Sequence, residues 1–406
     1  MNEPFPYHEI PVRGINLGGW LVLEPFITPS LFEIAKNDGT ALSYNAPIAT
    51  DEWMLCKRLG PIRAKELLEH HYETFITEAD FEQIQKMGFN HVRIPIGHWA
   101  IRPQPNEPFV PHLSWKYMLR GIEWAKKYGL RVMIELHTAA GSQNGWNHSG
   151  REGRIRWLVD PIDGEYFAQE AIEAVKDVVD YFYTNQTMPG QNELLIPMIG
   201  VLNEPAIMML PHEPVFKWYR RSHDAIRNMT GKGSGPIITY HDGFLRIHSW
   251  NGFFRKYDRA VLESHLYLIF EPNMMTLPHS EQIAIPCNTW RQELTESKTL
   301  VGEFSFATND CGKYLNGVRT PARYEGTGRS CHGVDDWLNW TDEYKEFMNV
   351  LIQKQMNAYE AGMGWFFWTY KTEDHVNPHW DYLLAWKKGW APKDVNTLAY
   401  TCDQTV

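Results

Sequence analysis

The chain has 406 residues, long enough for an α/β barrel with insertions, and its 43% hydrophobic and 22% charged residues are the balance of a globular protein with a large core. A net charge of -10 has the wrong sign for nucleic-acid binding, which needs clustered Lys and Arg, and Arg220-Arg221 is too short a run to count. No apolar stretch approaches the ~20 residues that span a bilayer, and Met1 to Val12 lacks the apolar core of a signal peptide.

In chain order, Val12 to Leu17 reads as a first strand, broken by Gly18-Gly19, with Trp20 to Pro25 leading from its end and two aromatic-rich loops beyond. Thr77 with Asp80 predicts a capped helix whose Phe81, Ile84 and Met87 keep helical spacing up to Gly88, and Asn90 to Ile96 is the next strand. Ser114 is expected to cap a second helix ending at Gly129, before strand Leu130 to Leu136. A helical stretch from Tyr166 to Tyr183 precedes strand Ile196 to Leu202, and another from Pro214 to Met229 precedes strand Pro236 to Tyr240. Ala260 to Tyr267 and Thr299 to Glu303 read as strands, and a helix from Asp342 to Tyr359 leads into Met363 to Tyr370. Short apolar strands, most of them separated by helices, predict a (β/α)8 barrel with long aromatic-rich loops at its C-terminal face, in one domain over residues 1–406.

Barrels of this kind carry their chemistry where the strands end, and there this chain places Glu24, Arg93, His137, Asn203-Glu204, Asp242, His265 with Tyr267, Glu303 and Trp368. Each alone has an ordinary reading: a strand-end His is more often structural, and Trp368 more often core. Arg93 within a strand demands an acid, because an unpaired buried guanidinium is very costly, and one of the two glutamates is the expected partner.

Glu204 and Glu303, on the fourth and seventh strands, would face each other across the mouth. At ~5–5.5 Å, one could attack a sugar's anomeric carbon while the other protonates the leaving oxygen. Arg93 and Tyr267 would keep Glu303 ionised, and Glu204, further from positive charge, would hold its proton. Asn203 is placed to bond the sugar 2-hydroxyl. The 14% aromatic content, with 17 Trp, suits sugar faces. Other chemistries lack their motifs: there is no GxGxxG opening a helix, no P-loop, no HExxH, and Cys331-His332 and His70-His71 lack zinc spacing. Four of the five cysteines (Cys287, Cys311, Cys331, Cys402) fall in C-terminal loops, which suggests disulfides and an oxidising compartment against the alternative of scattered buried thiols; Cys56 reads as free.

The fourth-strand Asn-Glu-Pro, the seventh-strand Gly-Glu-Phe-Ser, Arg93, His137, His265-x-Tyr267 and Trp368 resemble glycoside hydrolase family 5. Within it, RGINLGGWLVLEP, HVRIPIG, GSQNGWNHSG, KYLNGVRTPARYEG and GWFFWTYKTE look like the fungal exo-β-1,3-glucanases, from Arg13 almost to Val406. The resemblance implies Glu204 as acid/base and Glu303 as nucleophile, with Arg93, His137, Asn203, His265 and Tyr267 around them and Trp368 as a floor under the terminal glucose. It implies Glu24 at the closed end, Asn144 in the loop shaping the cleft, and Trp146 and Phe270 as the entrance aromatics. It also implies disulfides Cys287–Cys402 and Cys311–Cys331.

Trp146-Asn147-His148 and the ending Cys402-Asp403-Gln404-Thr405-Val406 depart from the secreted yeast pattern and look more like the membrane-anchored branch. The expectation is a monomeric, retaining, exo-acting hydrolase of β-1,3-glucan with some sugar transfer and no metal or cofactor. It would be extracellular or in the cell wall, attached to the plasma membrane, in the anchored branch, by a segment outside this chain. Sequons at Asn185, Asn228 and Asn339 suit glycosylation, and Asn147 should stay bare because a glycan there would block the entrance. The rivals are an endo-glucanase, a mannanase or a glycolipid β-glucosidase on the same fold, and a non-catalytic glucan binder, against which the two intact glutamates argue.

Overall fold

A computed structural model of the chain describes residues 3–34, 47–184 and 191–404, so Asn185, Thr405 and Val406 lie outside the described residues. The strands are β1 (Val12–Asn16), β2 (His91–Ile96), β3 (Arg131–Leu136), β4 (Met198–Gly200), β5 (Ile237–His241), β6 (Ala260–His265), β7 (Leu300–Glu303) and β8 (Gly364–Phe367). They pair in parallel in sequence order, and β8 bonds back to β1 to close the barrel. The expected (β/α)8 architecture is thus the one observed, with strands shorter than their apolar runs.

β4 keeps only three residues, because past Gly200 the chain bends away while single bonds persist, as from Asn203 N–H to Leu136 O at 2.9 Å. β6 ends at His265 instead of Tyr267, with a register shift between Ser264 and His265 that sets His265 opposite Glu303.

Alternation along the strands fills the barrel in layers. Val12, Met133, Met198, Ile237, Leu300 and Phe366 form an apolar plug at the bottom. Further along, the inward positions turn polar: Glu135 lies two residues beyond Met133 and Asn16 four beyond Val12, and these with Arg93 on β2 and Glu263 on β6 are all buried. The larger core lies between the barrel and its helices, with Trp20, Trp157 and Trp218 fully buried there.

Two helix expectations need correction. The second of the aromatic-rich loops is in fact mostly the helix Glu52–Thr74, hidden in the sequence by Gly60-Pro61, where Gly60 takes φ 73° and kinks it. Ser114 caps nothing: its helix starts at Leu113, preceded by His112 in the left-handed region, and the Ser114 hydroxyl is buried without a partner. The Thr77 helix is as read, with Thr77 N–H donating to Asp80 at 2.8 Å. Disulfides join Cys287 to Cys402 and Cys311 to Cys331, and Cys56 is free and buried. Cys287 sits in a helical stretch, Pro286–Trp290, not a loop.

Candidate active site

Arg93, fully buried on β2, organises the polar layer. Its guanidinium donates to Glu303 Oε1 at 2.9 Å, to Asn16 Oδ1 at 2.8 Å and to Asn203 Oδ1 at 3.0 Å. It also donates to Glu135, and Glu263 Oε1 lies 3.3 Å away. Glu303 is therefore one of three acidic partners. Glu135 and Glu263 escaped the strand-end reading because they sit one layer deeper, two residues before His137 and His265 on the same faces. Their space comes from glycines: a Cβ on Gly200 would stand 2.7 Å from Glu135 Cγ, and one on Gly302 would stand 1.9 Å from Glu263 Oε1. The pattern Glu-x-His on two strands opposite inward glycines is the signal that could have found them.

The two predicted carboxyl groups come together above this layer. His265 Nδ1 is 2.6 Å from Glu204 Oε1 and 3.4 Å from Glu303 Oε2, so those two oxygens are no more than about 6 Å apart, below the ~6.5–9.5 Å separation of inverting carboxyl pairs. Tyr267 donates to Glu303 Oε2 at 2.8 Å. Glu204 takes φ 43°, a left-handed conformation uncommon outside glycine, and Asn144 Nδ2 donates to its carbonyl at 3.1 Å. Gln143 Nε2 bonds the carbonyls of Asn203 and His137, each at 2.9 Å, tying the β3 and β4 loops together.

Burial raises the Glu204 carboxyl well above the usual range, and the Glu303 charge adds to the effect. Burial raises Glu303 too, but the Arg93 guanidinium and the Tyr267 hydroxyl oppose it. Glu303 alone of the pair holds both donors, so the negative charge settles there and the proton on Glu204. Burial keeps His137, His241 and His265 neutral, holding each well below its usual value.

Trp368 is buried and its ring lies parallel to His137, with centroids 5.6 Å apart. Glu24 is buried with Oε1 unpartnered, and Asn203 Nδ2 is likewise a buried donor without an acceptor. Trp146 packs on Phe244 at 5.4 Å and on His148 at 5.5 Å. The His148 ring, named from the sequence only in the triplet Trp146-Asn147-His148 and not as a site residue, reaches within 3.4 Å of Glu204 Oε2. Phe270 is exposed, set against Tyr267 at 6.0 Å with Arg323 over its face. Asp242 is turned aside, accepting from Ser264 and from Phe244 N–H.

Among the described residues, Glu204, His241 and His265 are the one group whose donor atoms could converge on a metal ion. The fit is poor. His241 Nδ1 accepts Gly243 N–H at 2.9 Å, which puts the ring proton on Nε2 and leaves no lone pair there for a metal.

Paired carboxyl groups of opposite protonation at the mouth of a parallel barrel define a glycoside hydrolase, and the chain belongs to glycoside hydrolase family 5. The family described as Cellulase (glycosyl hydrolase family 5) matches residues 60–267. The chain is 38% identical over 434 aligned positions to a protein named probable glucan 1,3-beta-glucosidase D of Aspergillus terreus, covering 100% of this chain and 49% of that one. A protein of the same name from Aspergillus niger is 36% identical over 432 positions, with 100% and 50% covered. The chain thus spans about half the length of the curated relatives it matches. Among solved structures, rutinosidase from Aspergillus niger aligns with a TM-score of 0.70 at 19% identity, covering 96% of this chain and 99% of that one, a likeness of fold.

Proposed function

We propose that this chain is a retaining, exo-acting β-glucosidase that removes glucose from the non-reducing end of β-1,3-glucan. The observation that carries the reading is the short span between Glu204 and Glu303, bridged by His265 Nδ1. That span leaves no room for a water between carboxylate and sugar, so Glu303 itself attacks C1. As the C1–Oε bond forms, the glycosidic bond breaks and the Glu204 proton goes to the leaving oxygen. The resulting Glu204 carboxylate then takes a proton from water, whose oxygen attacks C1 and releases Glu303. A sugar hydroxyl in place of water gives transfer.

Arg93 and Tyr267 stabilise the Glu303 charge before attack and after release. The unpartnered Glu24 Oε1 and Asn203 Nδ2 accept from and donate to sugar hydroxyls, which relieves the cost of leaving them buried and bare. Trp368 and His137 present the apolar floor, and Trp146 and Phe270 receive the next sugar. Glu24, buried within the electrostatic reach of Glu303 and Arg93, is read as the closed end of the pocket, which favours exo action over the endo rivals, and the names of the Aspergillus relatives support the β-1,3-glucan substrate. Two disulfides support an extracellular or cell-wall location, and no helix among the described residues is long and apolar enough to cross a membrane. We infer a monomeric single domain.

Laminarin digestion followed by chromatography tests the proposal. Glucose as the sole early product is expected, and a ladder of oligosaccharides would overturn the exo assignment.

A further inference from the structure

The start of the helix Glu52–Thr74 grips two loops of the proposed pocket at once, and the mechanism above does not use it. Asp51 and Glu52 are both buried, at 3% and 0% exposure. Glu52 Oε2 accepts Leu23 N–H at 2.9 Å, and Leu23 adjoins Glu24 in the loop after β1. Asp51 Oδ1 caps its own helix, accepting Met54 N–H at 2.7 Å, while Oδ2 accepts Glu152 N–H at 2.8 Å. Trp53 N–H donates to Gly150 O at 2.9 Å, and the Arg151 guanidinium stacks over the Trp53 ring at 4.5 Å. Residues 150–152 follow directly on the turn that carries Trp146 and His148.

A helix cap needs one acceptor, and Asp51 Oδ1 supplies it. The remaining bonds run to backbone groups far along the chain, in loops that have no strand ladder to hold them. Without those bonds, the Leu23 N–H would lose its partner in a region closed to water, and the Glu152 segment, which is exposed, would lose its tie to the helix. Resting on the reading of the pocket given above, we propose that Asp51 and Glu52 are positioning residues acting at opposite ends of the substrate. Glu52 sets Glu24 for the glucose being released, and Asp51 sets the Trp146 turn for the sugar beside it. Burial lifts the Glu52 carboxyl to about 8, so near neutral pH it is a protonated acceptor that glutamine imitates.

Two substrates separate the arms: β-glucosyl fluoride, with no second sugar, and laminaribiose, with one. Glu52→Leu should lower kcat/KM on both by about tenfold, the scale of one lost buried hydrogen bond, and Glu52→Gln should restore it. Asp51→Ser keeps a helix cap but is too short to reach Glu152. It should raise KM for laminaribiose about fivefold, through the loosened turn, and leave glucosyl fluoride within about twofold. Equal losses on both substrates in Asp51→Ser would overturn the inference, as would Glu52→Leu matching wild type on glucosyl fluoride. Should Glu52→Leu not fold, the Asp51→Ser ratio decides. A wild type inert towards glucosyl fluoride would instead defeat the β-glucosidase reading.

Discussion

Tyr267 donates its hydroxyl proton to Glu303 Oε2 at 2.8 Å, on the far side of the carboxylate from the Arg93 guanidinium at Oε1. Each Glu303 oxygen thus has its own donor, one of them a charged guanidinium, whereas the groups beside the Glu204 oxygens are the neutral His265 and His148 rings, and this asymmetry supports the proposed division of roles. Removing the hydroxyl in Tyr267→Phe takes a donor from the charged form and raises the Glu303 pKa. Because the proposed mechanism needs Glu303 ionised, the acidic limb of the kcat/KM profile should move to higher pH by about one unit. An acidic limb that stays in place would contradict the role of Tyr267.

On the proposed mechanism, Glu204→Gln removes the proton donor but leaves the nucleophile. Hydrolysis of laminaribiose, whose leaving oxygen needs protonation, should fall by about 10²–10⁴-fold. Formation of the glycosyl intermediate from dinitrophenyl β-glucoside, whose leaving group departs unprotonated, should change far less. Equal losses on the two substrates would place the acid elsewhere.

Arg93 balances Glu135, Glu263 and Glu303 inside the barrel. Replacing it by methionine leaves that acidic cluster without its counter-charge, and stability should drop by roughly 3–5 kcal/mol in urea unfolding at neutral pH. The deficit should shrink at acid pH, where the carboxyls are protonated. A variant as stable as wild type would mean that the cluster is already neutral.

The barrel is legible in the chain because most strands are short, largely apolar runs with a polar or aromatic residue at or near the end, and both catalytic candidates sit at such ends. Glu135 and Glu263 are not visible that way, since a carboxyl inside an apolar run reads as an interruption until its guanidinium partner and the facing Gly200 and Gly302 are known. The helix Glu52–Thr74 escapes because Gly60-Pro61 is the signature of a break, and only packing of Leu55, Leu59, Ala64 and Leu68 against the core carries the helix across it. Ser114 misleads for the opposite reason: it is a good capping residue two positions past the cap at His112, already buried inside the first turn.

Glu52 also predicts a pH signature in stability. Its pKa is raised in the fold, so the folded state holds its proton more tightly, and stability is lost as pH rises from the unfolded value of about 4.5 towards about 8. Glu52→Gln removes this loss. Its melting temperature should match wild type near pH 4 and exceed it increasingly up to pH 8, by the equivalent of up to about 3 kcal/mol at pH 7. A constant offset across that range would show that the carboxyl does not titrate in the fold.

The central claim, that Glu303 attacks the sugar, is tested most directly by trapping. Incubation with a 2-deoxy-2-fluoro-β-glucosyl fluoride should inactivate the protein with the mass gain of one fluoroglucosyl group, and peptide mapping should place that group on Glu303. A label on another residue, or turnover that proceeds with no covalent sugar and inverts the anomeric configuration, would contradict the account.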